Sequence, residues 1–141
     1  MTQVNRYLAD RDMDRIDHAL GRPCDPMAET YRNHYATDMD HDLATRMAAD
    51  PCWHMGPRVG NMVFFHVTDH GRRALKTHLR DIGDAHRLYD VSLDDYPPRQ
   101  IAATSRSKAR YDAWLKADLD MPFGEFCKRS RVTLSLQGIR S

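Results

Sequence analysis

The chain has 141 residues, a net charge of +1, 41% hydrophobic residues and 29% charged residues. This composition is typical of a soluble globular protein, and the longest apolar run, Met62–Phe65, is too short to cross a bilayer. Three widely spaced cysteines, in neither zinc-finger spacing nor a disulfide framework, favour a reduced, cytoplasmic setting.

Three helices are predicted in the first part of the chain. Apolar residues recur at three- and four-residue spacing over residues 12–20, and Gly21 is placed to end that helix. The same spacing predicts a second helix over residues 26–35 and a third over residues 40–49. Pro51 then prevents the third helix from continuing.

The stretch VFFHVTDHGRRAL, residues 63–75, changes its period halfway along. Turn residues at positions 56–61 separate a short stretch around Trp53 from a strand over residues 61–67, which predicts a hairpin. Thr68 can then cap a helix by accepting a hydrogen bond from the first turn. Asp69 in that turn favours the positive end of the helix dipole, and Gly83 closes the helix.

These residues resemble known proteins in two places. VTDHGRRAL, residues 67–75, resembles the exit from the wing of MarR-type winged helices. DRIDHALG, residues 14–21, together with YRNH, residues 31–34, resembles the opening of small phage and prophage proteins. The resemblance implies a winged-helix-like unit, but it carries no established activity to this chain.

A second unit is predicted after Gly83. Tyr89, Val91 and Leu93 alternate with polar residues as in a half-buried strand, and a second strand is expected over residues 99–104. Ser105 can cap a helix whose apolar residues are Tyr111, Trp114, Leu115 and Leu119. Pro122 suits the start of a further helix. Val132, Leu134 and Leu136 alternate in a closing strand.

We therefore predict an α+β protein. Residues 1–84 form a winged-helix-like unit of three helices, a β-hairpin wing and a fourth helix. Residues 85–141 form a small ββααβ unit packed against it. The net charge is uneven along the chain, at −3 over residues 1–60 and +4 over residues 61–141.

Chemical motifs point away from catalysis. Asp38, Asp40 and Asp42 imitate the start of an EF-hand loop, but Leu43 and Ala49 replace its glycine and glutamate. The eight histidines show no HExxH spacing, and neither a nucleophile signature nor a phosphate loop is present. We expect no enzyme activity, no cofactor and no metal.

Nucleic acid and protein remain as the two classes of partner. In a winged helix the third helix enters the major groove of double-stranded DNA, where arginine and lysine meet phosphates and guanine. Here that helix region is acidic and has one arginine. The residues expected to bind DNA are Arg46, Arg58, Arg72, Arg73 and Arg110. The residues expected to bind a protein are Asp38, Asp40, Asp42 and Asp50.

The acidic third helix favours the protein partner, because carboxylates repel phosphates and attract a basic protein surface. The phage resemblance implies an accessory factor or inhibitor, anti-CRISPR-like, that docks on a host protein or nucleoprotein complex in the bacterial cytoplasm. A winged-helix DNA-binding transcriptional regulator is the alternative. No membrane partner is expected.

Overall fold

Five helices and six strands form along residues 3–135, the residues that the computed structural model describes. The fold is α+β and contains two sheets of three antiparallel strands. Each sheet belongs to one of two compact units, the first over residues 5–84 and the second over residues 85–135 together with residues 3–4. None of the helices in this part of the chain has the length and apolarity needed to cross a membrane.

The first unit contains three helices and three strands. In chain order they are α1 (Arg11–Ala19), β1 (Tyr35–Asp38), α2 (Asp42–Ala49), β2 (Trp53–Val59), β3 (Met62–Val67) and α3 (Asp69–Asp81). The sheet order β1-β3-β2 makes the second strand of the hairpin the central strand. The structure confirms the predicted first helix, third helix, hairpin and following helix.

The helix predicted over residues 26–35 is wrong. That segment consists of turns and extended chain and ends in β1. Its carbonyl groups bond to a side chain instead of to one another, since Arg72 on α3 donates to the oxygens of Pro26 and Ala28 at 2.9 and 3.0 Å. The side chain of Asn33 pairs with both backbone groups of Val67, which aligns the segment with β3. Tertiary hydrogen bonds therefore override the helical spacing.

Thr68 caps α3 as predicted. Its hydroxyl accepts a hydrogen bond of 3.2 Å from the Gly71 N–H and donates one of 2.7 Å to the oxygen of Pro51. A β-carbon at Gly71 would lie 2.5 Å from the carbonyl oxygen of Cys52. The glycine in this motif therefore allows α3 to approach the start of β2.

The inner face of the first sheet carries the core. Val63, Phe65 and Val67 alternate inward along β3 and are almost fully buried. All three helices pack on this face through the apolar residues Ile16, Ala19, Leu20, Ala44, Met47, Leu75 and Leu79. The other face of the sheet is therefore free of these helices.

A cluster of buried charges joins the N-terminal segment to α1. Asp17 is fully buried and accepts two hydrogen bonds from Arg6, at 2.7 and 3.0 Å, and one of 3.2 Å from Arg22. Arg22 also donates to Asp14 at 2.7 Å. Arg6 donates a further bond of 2.7 Å to the oxygen of Pro23. This network was not predicted, since the residues fall in separate parts of the sequence.

The second unit has the predicted ββααβ order. Its elements are β4 (Arg87–Leu93), β5 (Arg99–Ala103), α4 (Arg106–Ala117), α5 (Phe123–Arg129) and β6 (Ser130–Leu134), and its sheet order is β5-β4-β6. Ser105 caps α4 by accepting a hydrogen bond of 3.1 Å from the Lys108 N–H. Leu136, assigned to the closing strand by its spacing, lies outside the described residues.

The predicted apolar stripe of α4 is only partly correct, since Trp114 packs against the core of the second unit and the other three residues of the stripe are exposed. Ala109 and Ala113 face the sheet and are buried, whereas Tyr111 and Leu115 are about half exposed. The sheet fills the interface with large side chains, among them Tyr89 and Ile101, so small residues allow the helix to pack closely. Tyr111 and Leu115 are left on the outer side of α4, whereas Trp114 packs against the edge of the core.

Candidate protein-binding surface

The outer face of the first sheet is accessible to solvent. In an antiparallel pair, residues directly opposite one another project to the same face. On β3 the outward residues are Met62, Phe64 and His66, and their partners on the neighbouring strands are Asp38, Ala36, His54 and Val59. We call these seven residues the outer sheet face. Val59 is 65% exposed and Met62 is 42% exposed, so apolar surface at the end of the hairpin meets water.

Two carboxylates are attached to this apolar surface by Asn61. Its side-chain amide donates to Asp38 and, at 3.2 Å, to Asp40. The Asp40 N–H also donates to the Asp38 carboxylate at 3.0 Å, and the Met39 N–H donates to the oxygen of Asn61 at 2.8 Å. The turn between β1 and α2 is thereby fastened to the turn of the hairpin.

Asp42 extends the acidic group into the first turn of α2. His41 caps that helix by accepting a hydrogen bond of 3.1 Å from the Leu43 N–H. We call Asp38, Asp40 and Asp42 the acidic turn. All three are exposed, and among residues 3–135 no lysine, arginine or histidine forms an ion pair with them. Their negative charge is therefore available to a partner.

Asp50 does not belong to the acidic turn. It lies at the opposite end of α2, and the eight residues of that helix span about 12 Å. Its carboxylate accepts a hydrogen bond of 2.8 Å from the Cys52 N–H. Burial, reinforced by the nearby Asp50 carboxylate, raises the pKa of the Cys52 thiol to about 11. The four predicted aspartates therefore divide into three at the surface and one with a structural contact.

Three of the arginines predicted to bind DNA are exposed. Arg46 lies on α2, Arg58 lies at the end of the hairpin, and Arg73 lies on α3. The Arg58 Nε donates a hydrogen bond of 2.9 Å to the oxygen of Gly60, which holds the arginine side chain against the turn of the hairpin. Since the three lie on three different elements of the first unit, they do not form a continuous row on one helix.

The other two predicted arginines have internal partners. Arg72 donates to the loop residues Pro26, Ala28 and Thr30, and burial lowers the pKa of its guanidinium. Arg110 lies in the second unit, where its Nε donates 3.0 Å to the hydroxyl of Ser130. Both guanidinium groups therefore hold the fold together, and their hydrogen-bonding capacity is reduced for phosphate.

The apolar part of the surface was missed in the sequence. NMVFFHV, residues 61–67, is apolar at alternate positions on both faces, although helices cover only one of them. That excess of apolar residues is the signal that could have indicated an exposed binding face. The sequence places Asn61 in the turn at the start of the strand, but its bonds to the acidic turn depend on a contact across more than twenty residues.

The fold and this surface define an α+β protein of two small units, one of which presents a partly apolar sheet face beside carboxylates that form no ion pair within residues 3–135. Comparison of the chain with protein families, with curated protein sequences and with solved structures found no match. Among the described residues, no three histidine, cysteine, aspartate or glutamate side chains converge as a metal ion would require.

Proposed function

We propose that this chain is a non-enzymatic binding protein that docks on another protein through the outer sheet face and the acidic turn. The observation that carries the proposal is the position of exposed Val59 and Met62 beside the carboxylates of Asp38 and Asp40, which form no ion pair within residues 3–135. Protein interfaces commonly combine an apolar centre with a polar or charged rim. This surface supplies both within one sheet and its adjoining turn.

The charge of the rim identifies the chemistry of the partner. Exposed carboxylates without a cation attract a surface rich in arginine and lysine, of the kind that binds nucleic acid. Asn61 holds two of the carboxylates before any partner arrives, and such preorganisation reduces the entropy cost of binding. We propose that the protein acts in the cytoplasm of a bacterial host as a phage-type accessory factor or inhibitor of a host protein complex.

A DNA-binding regulator is the second candidate. It is favoured by exposed Arg46, Arg58 and Arg73, which have no carboxylate partner within residues 3–135. The order of helix, strand, helix, hairpin and helix is also compatible with a winged-helix-like unit. Against this reading, α2 begins with Asp42 and follows two further aspartates. These charges would lie close to phosphates in major-groove binding.

The experiment compares the same change, aspartate to lysine, in the first turns of two helices. Within residues 3–135, only Asp12 of the two aspartates has an ion pair, with Arg15 at 3.0 Å. Asp42→Lys removes a carboxylate of the acidic turn, and Asp12→Lys makes the same change in the first turn of α1. Both alter the interaction with a helix dipole to a similar degree. Each substitution is made alone and together with Val59→Ser, which gives two single and two double variants. All four variants are used to capture partners from host lysate. The affinity for each purified partner is then measured by calorimetry.

We expect Asp42→Lys with Val59→Ser to weaken binding at least about tenfold, which corresponds to about 1.4 kcal/mol, and Asp12→Lys to leave it unchanged. Equal binding by the two double variants would refute the proposed surface. The regulator is tested with random-sequence duplex, since a DNA-binding protein must lose affinity steeply as salt rises. Salt-dependent binding that Arg58→Gln abolishes would favour the regulator.

A further inference from the structure

The second unit contains a groove of about 340 Å³ between α4 and its sheet. Val91 and Leu93 of β4 form one wall, while Ala113 and Ala117 of α4 form the other. Phe126 of α5 closes one side. A volume of about 340 Å³ falls at the lower end of the range for small-molecule sites.

The groove arises from the close packing that α4 uses elsewhere. Ala109 and Ala113 bring the helix near the sheet, and both are almost fully buried. Ala117, one turn further, lies where the β4–β5 turn leaves the sheet, and its methyl group leaves the space unfilled. The walls are apolar, so the occupant must also be mostly apolar.

Arg99 supplies the polar group of the groove. It lies opposite Val91 in the sheet, on the same face of β5 as the inward residues Ile101 and Ala103. Arg99 is the first residue of the strand and is exposed, so its guanidinium is accessible to a ligand in the groove. It has no carboxylate partner within the described part of the chain. The neighbouring Asp94 is paired with Arg129 instead.

We propose that this groove binds a small apolar carboxylate, with its chain or ring between α4 and β4 and its carboxylate on Arg99. A guanidinium can donate two parallel hydrogen bonds to a carboxylate, which fixes the orientation of such a ligand. Tyr96 also lines the groove and is 67% exposed. This site belongs to the second unit and does not depend on the protein-binding surface proposed above.

The test uses octanoate as the probe, below the concentration at which it aggregates, with 1-octanol and octylamine as ligands of similar length. Binding to the full chain is measured by calorimetry and by the shift of backbone NMR signals. We expect octanoate to bind at least tenfold more tightly than octanol, and octylamine to bind most weakly. Equal affinities for octanoate and octanol, or no binding of octanoate at millimolar concentration, would overturn the proposal.

Three variants locate the site. Arg99→Gln removes the charge and should weaken octanoate at least tenfold while leaving octanol unchanged. Ala117→Leu fills the groove and should abolish the binding of both compounds. Arg131→Gln is the matched control, because Arg131 is an exposed arginine of the same sheet that does not line the groove. Octanoate binding that survives both Arg99→Gln and Ala117→Leu would place the ligand elsewhere and refute the assignment.

Discussion

Replacing Asp17 with asparagine tests whether the buried charge cluster holds the first unit together. Asp17 is completely buried and accepts three hydrogen bonds from two guanidinium groups, at 2.7, 3.0 and 3.2 Å. Asparagine has a similar volume but no charge, and its amide nitrogen can only donate. The substitution therefore turns a donor toward arginines that are themselves donors.

The size of the effect follows from the burial of the arginines that remain. The side chains of Arg6 and Arg22 are only 7% and 8% exposed, so water cannot replace the lost carboxylate. Removing one partner of a buried ion pair costs about 3–5 kcal/mol, because an uncompensated charge is left behind. Asp14 and Asp84 still contact the arginines and place the effect toward the lower end of that range. A loss of about 3 kcal/mol is a large part of the 5–15 kcal/mol typical of a domain.

Urea unfolding followed by NMR measures this loss in the first unit alone. The indole N–H signal of Trp53 reports the first core, and that of Trp114 reports the second. Asp12→Asn is the control on the same helix, since the Asp12 side chain is 68% exposed and its pair with Arg15 contributes about 1 kcal/mol or less. If Asp17→Asn shifted the Trp53 transition no more than Asp12→Asn does, the reasoning from burial would be refuted.

Two further measurements test the packing and the electrostatics of the units. Gly71→Ala should destabilise the first unit by about 1–3 kcal/mol, since the new β-carbon would meet the backbone oxygen of Cys52. Gly124→Ala should stabilise the second unit by up to about 1 kcal/mol, because a β-carbon there enters open space and alanine favours the helix α5. A change of the same sign for both variants in thermal unfolding would contradict this. The hydrogen bond from Arg22 holds the pKa of Asp14 below its ordinary value, so its contribution to stability is present above about pH 4 and is lost as the pH falls through the lowered pKa. Acid unfolding of Asp14→Asn should therefore depend less on pH below 4 than that of the wild type, and an unchanged profile would count against this assignment.

Local signals predicted much of the fold. The change of period at Thr68 and the hydroxyl of that residue predicted the strand, the cap and the following helix, all of which form within a few residues of one another. Ser105 did the same for α4. The ββααβ order also followed from alternation and capping alone. These features depend on neighbours in the chain, which is why one sequence was sufficient to predict them.

The errors arose where distant residues decide the structure. Residues 26–35 have helical spacing, but Arg72 takes up carbonyl groups in that segment from more than forty positions away. On α4 the apolar residues with the right spacing are large, yet the sheet accepts Ala109 and Ala113. In both cases the local spacing of apolar residues is present in the sequence. The structure that forms is decided by the space or the hydrogen bonds that another element offers.

The candidate surface shows the same division between local and distant information. The aspartates could be identified in the sequence, but their grouping could not, because Asp42 begins α2 whereas Asp50 follows its other end and accepts a hydrogen bond from the Cys52 N–H. Asn61 brings the other two carboxylates to the hairpin, and the register of β1 against β3 places Asp38 directly opposite Met62. Charge alone would attract many basic proteins without selecting among them. An apolar face at a fixed position beside the carboxylates adds shape to that attraction, and substitutions at Val59 and Asp42 should therefore affect one and the same partner.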